Sequence, residues 1–520
     1  EPMPLRPPIA PGNAPAADRA AQALQQALQQ ARVLAGQGRA GEAEQLLQQV
    51  TALGDRHPLY GPAIYQLGIL AARREDFARA RDCFTAALKL APQAPEILIS
   101  LATALHETGE AASARPLAEK ALGLTAAPAT LSRLGAFLQQ AGDKELAERA
   151  FDKALGIDPS HVPAHYGLAY LRKARAGDAH LDRLRALADA ETLSPNDRML
   201  AAFALGKTEM DLGNSTAGFT RFAEASRRKK ALLSPFSADA FDRYIDGIIA
   251  LFDNAAAARL KTIAANDSDR PVFIVGMPRS GSTLIDQVLS SHPDVTSLGE
   301  AKFLNRCLPV YPNHEFPQFA AQPSWTPELL AALPARAKEI GDKYIAATAA
   351  SAGGARRVVD KMLFNYLWAG VIRAALPNAK IIHCIRDPRD IALSIWQLHF
   401  PNGMGWAYDL GDIGRYYLSC RRLMEHWHRI FPGDIYTAKY EDMVADPEAQ
   451  TRRLLDWCGL PFDARCLSFH ETDRIVKTAS ASQVRQPIYR DSAGKWKKHA
   501  AHLAPLLSVL EGAGITGDDY

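Results

Sequence analysis

Two rhythms of apolar residues divide this chain near residue 270. Before that point Ala and Leu recur at helical spacing almost without a break. After it, short runs rich in Val and Ile alternate with helical stretches. The first rhythm predicts helix throughout, and the second predicts an α/β domain with a mostly parallel sheet. In the second half, Val272 to Val275, Val358-Val359 and Ile381 to Ile385 read as buried strands. Residues 284–289 after the first of these runs have helical apolar spacing.

The first half is also self-similar. Leu67-Gly68 recurs as Leu101-Ala102, Leu134-Gly135, Leu168-Ala169 and Leu205-Gly206. The interval is about 34 residues, the tetratricopeptide period. Ala80, Phe84, Ala87 and Pro92 of one unit match Ala147, Phe151, Ala154 and Pro159 of another. Small residues are expected where the two helices of a unit cross closely, larger ones between units, and the proline stops the second helix. The reading is about six units over residues 22–228, an all-α solenoid, with the second helix of the unit near 162–195 loosely matched. The solenoid has two readings: a concave surface for a peptide or partner protein, or a scaffold that packs on the rest of the chain or makes a dimer. Residues 1–21, rich in Pro and Ala, read as a disordered tail, residues 229–267 as a helical connector, and residues 268–520 as the α/β domain.

A chain of 520 residues exceeds one core. The formal charge of +3 points to no dedicated nucleic-acid partner. Six cysteines, at 83, 307, 384, 420, 458 and 466, form no CxxC pair, so neither zinc nor a disulfide framework is expected. No apolar run approaches the roughly 18–20 residues of a membrane span. A soluble, cytoplasmic protein is the expectation.

The stretch PVFIVGMPRSGST, residues 271–283, carries the densest chemical signal. Strand, tight loop and helix make a phosphate cradle, because loop amides and a helix N-terminus point at one place. The spacing from Gly276 to Gly281 is that of a nucleoside-triphosphate loop, but Ser282 stands where such a loop has lysine, and Arg279 lies inside it. Four further stretches matter beside it. Glu300, in Leu298-Gly299-Glu300, has the chemistry of a general base. Asp360-Lys361 ends a short strand; in an ATPase this Val-Val-Asp would hold magnesium, which keeps a kinase reading open. Arg386 ends the strand 381–385, and Ser394 follows on the next helix, a pair suited to a second phosphate. The polar stretch from Ser480 through Gln483 and Arg485 to Lys495-Trp496 reads as a loop closing over a site.

Together these motifs resemble the PAPS-dependent sulfotransferase superfamily, and within it the tyrosylprotein sulfotransferase branch. The resemblance covers about residues 270–500 and rests on six ordered motifs: VGMPRSGSTL, HPDV…GE, Asp360-Lys361, PNAKIIHCIRDPRDIALS, Tyr440-Glu441-Asp442 and the ending around Gln483 and Lys495-Trp496. It implies that Arg279, Ser280, Gly281, Ser282 and Thr283 bind the 5′-phosphosulfate of 3′-phosphoadenosine 5′-phosphosulfate (PAPS). It implies that Arg386 and Ser394 hold the 3′-phosphate, and that Tyr440, Ser480, Gln483 and Lys495 complete the donor site. The catalytic set is then Glu300, Arg279 and Lys361, the product is 3′-phosphoadenosine 5′-phosphate (PAP), and no metal is needed. Peptidyl tyrosine is the first acceptor, with carbohydrate or small-molecule hydroxyls as alternatives. A protein or peptide acceptor on the repeat surface, and a homodimer, are the expected partners. Two departures stand out. Leu398 occupies the place of a family arginine, so either the 3′-phosphate is held less tightly or His399 substitutes. After Glu300, where the family has several arginines, two basic residues remain at shifted places, Lys302 and Arg306. A P-loop kinase or NTPase, and a repeat scaffold with a degenerate enzyme domain, are the rival readings.

Overall fold

A computed structural model describes residues 16–300, 302–308, 327–400, 404–469 and 493–517. The chain divides into two compact units, Glu1–Gly167 and Leu168–Tyr520.

The first unit is built from antiparallel helix pairs. They include Tyr60–Arg73 with Phe77–Leu90, Pro95–Glu107 with Ala111–Leu124, and Pro128–Ala141 with Lys144–Ile157. The recurring small residues sit where the pairs cross. A Cβ on Gly68 would come within 2.5 Å of the Phe84 ring, and one on Gly135 within 2.6 Å of the Phe151 ring. Phe84 and Phe151 are buried, as are Ala80, Ala87, Ala147 and Ala154. The same positions start the second helices: Asp76 accepts from the Arg79 N–H and Asp143 from the Leu146 N–H, which satisfies N–H groups that a helix start leaves open. The expected tail falls largely on residues 1–15, outside the described residues, and helix begins at Ala16.

The second unit opens with further helices, among them Ala179–Asp189, Pro195–Asp211, Ser215–Ala231 and Ala238–Leu251. Gly206 repeats the close crossing, with a Cβ position 2.9 Å from Phe222. The helix Ala238–Leu251 docks on the long helix Leu410–Ile430. Phe241 stacks on Tyr416 at 4.4 Å, and Trp406 stacks on Tyr416 at 4.0 Å. Beyond them His426 Nε2 lies 2.7 Å from the Phe252 carbonyl.

The sheet has five strands: β1 (Pro271–Gly276), β2 (Val295–Ser297), β3 (Arg357–Asp360), β4 (Lys380–Ile385) and β5 (Ile435–Lys439). Their order is β2-β3-β1-β4-β5, and every pairing is parallel. β1 lies at the centre and is buried throughout, as a strand covered on both faces must be. All-α repeats followed by a parallel α/β sheet is the architecture that the two rhythms predict.

Candidate active site

The strand order brings the carboxyl ends of β3, β1 and β4 side by side, the edge at which open α/β sheets bind ligands. The loop after β1 is shaped by its two glycines. Gly276 has φ 140°, and a Cβ there would lie 2.5 Å from the Cys384 carbonyl of β4. Gly281 has φ 93°, and a Cβ there would lie 2.6 Å from the Tyr440 ring. Both the conformation and the space therefore require glycine. Arg279 takes φ 71° without being glycine, a strained conformation held by its surroundings. The helix Ser282–Ser290 follows directly, with its N-terminus at the loop.

The residues expected around this loop converge on it. Arg279 Nε donates to Ser394 Oγ at 2.8 Å. Arg386 Nη1 donates to the Arg279 carbonyl at 3.3 Å, and its guanidinium lies 4.5 Å from the Tyr440 ring centroid. Ser280 is 1% exposed, and its hydroxyl finds no hydrogen-bond partner among the described residues. The loop, the end of β4, the helix Pro388–Trp396 and the start of the helix Tyr440–Ala445 thus meet at one place.

Glu300 and Lys361 form a second group on the β2–β3 side. Lys361 N–H donates to the Gly299 carbonyl at 2.9 Å, which ties the two chain segments together. Lys361 Nζ donates to Glu300 Oε1 at 2.6 Å. The preceding Asp360 is fully buried. Its Oδ2 accepts from Tyr344 Oη at 3.0 Å, and its Oδ1 accepts from the Met362 N–H at 3.1 Å and Asn365 Nδ2 at 3.3 Å. Burial pushes this carboxyl up to about 7, against the pull of the Met362 N–H and the Tyr344 hydroxyl.

Some expectations land elsewhere. His399 turns toward the helical part of its unit: its Nε2 lies 3.2 Å from Lys229 Nζ, and its ring is 6.0 Å from Phe203. Burial first, and Lys229 second, push this imidazole down to about 4. Lys302 stands at the start of the short helix Phe303–Cys307 beyond Glu300, and Arg306 lies in its last turn. Ser480 and Gln483 lie outside the described residues. Lys495 is described and exposed. Sequence reasoning missed Asp387, Arg389 and Asp390, which hold the chain around Lys495. They stand in a stretch read only for Arg386 and Ser394, and charge alternating over Arg386, Asp387, Arg389 and Asp390 beside a sheet edge was the available signal. All six cysteines are free and buried.

Among known proteins, a sulfotransferase-family model matches residues 271–464, and tetratricopeptide-repeat models match residues 62–94 and 129–161. The chain is 32% identical over 385 residues to an uncharacterized protein of Aquifex aeolicus, covering 73% of this chain and 50% of that one. It is 25% identical over 238 residues to protein-tyrosine sulfotransferase A of Caenorhabditis elegans, covering 43% of this chain and 60% of that one. The chain thus spans between half and three-fifths of these relatives. The sulfotransferase domain of a Synechococcus olefin synthase superposes with a TM-score of 0.34 at 21% identity, covering 49% of this chain and 98% of that one. The chain joins tetratricopeptide repeats to a domain of the sulfotransferase family.

Proposed function

We propose that this protein transfers a sulfuryl group from PAPS to an acceptor hydroxyl, with peptidyl tyrosine as the acceptor. The observation that carries the reading is the convergence of Arg279, Ser394 and Arg386 on one phosphate-type loop. The loop also fits the donor chemically. Its two glycines let the loop close onto the Cys384 carbonyl and the Tyr440 ring, and Ser280 brings a buried hydroxyl with no partner among the described residues.

In this reading Arg279, Ser280, Gly281, Ser282 and Thr283 surround the 5′-phosphosulfate, and Arg386 and Ser394 take the 3′-phosphate. Tyr440 and Lys495 border the donor, with Ser480 and Gln483 contributed by the segment outside the described residues. PAPS supplies the sulfuryl group on a phosphate leaving group. Glu300 orients the acceptor hydroxyl and receives its proton, a contribution of roughly 10²–10⁴-fold in rate. Lys361 and Arg279 place fixed positive charge where negative charge develops on the leaving oxygen. The Lys361 bond to Glu300 aims the carboxylate before the acceptor arrives.

Peptidyl tyrosine is favoured by the named relatives and by repeats able to present a protein chain. Carbohydrate or small-molecule hydroxyls are the alternative acceptors, supported by the loss of the basic cluster after Glu300. The kinase reading is weakened by Ser282 in the lysine position and by Asp360, whose buried carboxyl group is committed to Tyr344, Met362 and Asn365. The scaffold reading is weakened by the intact set of Arg279, Glu300, Lys361, Arg386 and Ser394. A cytoplasmic, homodimeric protein remains part of the proposal. Among the described residues no helix is long and apolar enough to cross a membrane. Calorimetry with PAP against Mg-ATP tests the reading: PAP binding in the micromolar range is expected, and binding of Mg-ATP alone would replace it with the kinase alternative.

A further inference from the structure

Gly494, Lys495 and Trp496 are held from both sides by buried acids. Asp390 Oδ2 accepts from the Gly494 N–H at 2.6 Å, and Asp390 Oδ1 accepts from the Trp496 N–H at 2.9 Å. The Trp496 indole Nε1 donates to Asp387 Oδ2 at 2.9 Å. Arg389 donates through Nε and Nη2 to the same Asp387 at 2.7 and 2.8 Å, and its guanidinium lies 4.2 Å from the centroid of the Trp496 ring. A further bond runs from Arg389 Nη2 to the Gly517 carbonyl at 2.7 Å.

The energetics make this more than a surface contact. Asp390 is 2% exposed, and a carboxylate so placed is costly unless its oxygens receive donors. Its two shortest contacts go to backbone N–H groups of a single tripeptide. Gly494, at φ 72°, makes the turn that brings N–H groups two residues apart onto one carboxylate. The middle residue, Lys495, keeps an exposed side chain. On its other flank Asp390 Oδ2 is 3.9 Å from Arg386 Nη2. One carboxylate therefore stands between Arg386 and the backbone that carries Lys495.

We propose that Asp390 is a positioning residue for the donor. It clamps Gly494 and Trp496 so that Lys495 and Arg386 act on the same phosphate group, and Asp387 and Arg389 stiffen the clamp through Trp496. The inference rests on the donor reading given above, and it assigns to Asp390 no contact with the donor.

A double-mutant cycle tests it on the full-length protein, with the PAP dissociation constant read by calorimetry. Asp390→Asn keeps the shape but turns an amide donor toward one of the two N–H groups. Asp390→Asn and Lys495→Ala should each weaken PAP binding roughly tenfold, since each removes one cation's share of charge-assisted binding. The double variant should bind no more weakly than either single one, because Asp390 acts through Lys495. An Asp390→Asn affinity equal to wild type overturns the proposal, and so does a double variant weakened by the product of the single effects. If Asp390→Asn loses the wild type's cooperative unfolding, the same cycle with Trp496→Phe, which removes the indole bond to Asp387, decides. Absence of PAP binding by the wild type overturns the donor reading and the clamp together, whereas wild-type binding with an unaltered Asp390→Asn overturns the clamp alone.

Discussion

Lys361 Nζ lies 2.6 Å from Glu300 Oε1, although the lysine side chain is 1% exposed and the glutamate side chain 44%. A buried ammonium thus reaches outward to a carboxylate that faces solvent. This geometry gives the two residues separable roles, and they can be told apart. Glu300→Gln keeps a hydrogen-bond acceptor for Lys361 but cannot take a proton. It should retain PAP affinity and lose roughly 10²–10⁴-fold in turnover. Glu300→Ala leaves the buried ammonium without that partner and should in addition lower stability by about 1–3 kcal/mol, below the cost of breaking a fully buried pair. Thermal unfolding beside single-turnover kinetics of the two variants checks both outcomes.

Arg279 combines a left-handed backbone with a side-chain bond to Ser394. Arg279→Gly removes the second while easing the first. The expected result is a folded protein of equal or greater stability whose PAP affinity falls about tenfold or more. A variant that unfolds at lower temperature yet binds PAP as wild type does would assign Arg279 to structure rather than to the donor.

Asp360 sets a pH dependence of stability. Its carboxyl in the folded chain is pushed up to about 7 by burial, so the folded state holds a proton that the unfolded chain releases. The stabilisation attached to that proton is complete at acid pH and is lost as the pH rises from about 4 through about 7. Asp360→Asn cannot titrate. The unfolding temperature of the wild type should therefore fall more steeply than that of Asp360→Asn across this window, as scanning calorimetry at several pH values would reveal.

In the repeats, Gly135→Ala places a methyl where the Phe151 ring already stands, 2.6 Å away. The ring or the helix pair must shift, at a cost of about 1–3 kcal/mol. Gly123→Ala, with nothing within 4 Å of its Cβ position, serves as the control and should be neutral or stabilising. Equal denaturant midpoints for the two variants would contradict the crossing assigned to Gly135.

The repeat period and the loop after β1 were legible because each is written locally. Leu134-Gly135 and Phe151 recur at fixed offsets, and Gly276 and Gly281 bracket a loop between an apolar run and a helix. The shared edge of Arg386 and Ser394 was legible for the same reason, since strand and helix adjoin in sequence. The bond between Lys361 and Glu300 was less so. It joins residues brought together by the pairing of β2 with β3, and strand order is not encoded in any short window. The clamp at Asp390 was hidden for another reason. An Asp in a polar stretch usually faces water, and only the arrival of Gly494 and Trp496, about a hundred residues onward, makes it a buried acceptor. His399 shows the converse: its place in the sequence adjoins the missing arginine, while its ring packs against Lys229 and Phe203.

The most direct test of sulfuryl transfer is a turnover assay with sulfur-labelled PAPS and an acidic tyrosine-containing peptide, run with wild type and Glu300→Gln side by side. Label is expected on the tyrosine hydroxyl, with release of PAP, in the wild type, and Glu300→Gln should bind PAP but transfer at most about a hundredth as fast. Equal transfer by the two proteins would remove Glu300 from the chemistry. A wild type that binds PAP and transfers label to no tyrosine, carbohydrate or small-molecule hydroxyl would contradict the assignment of sulfuryl transfer itself.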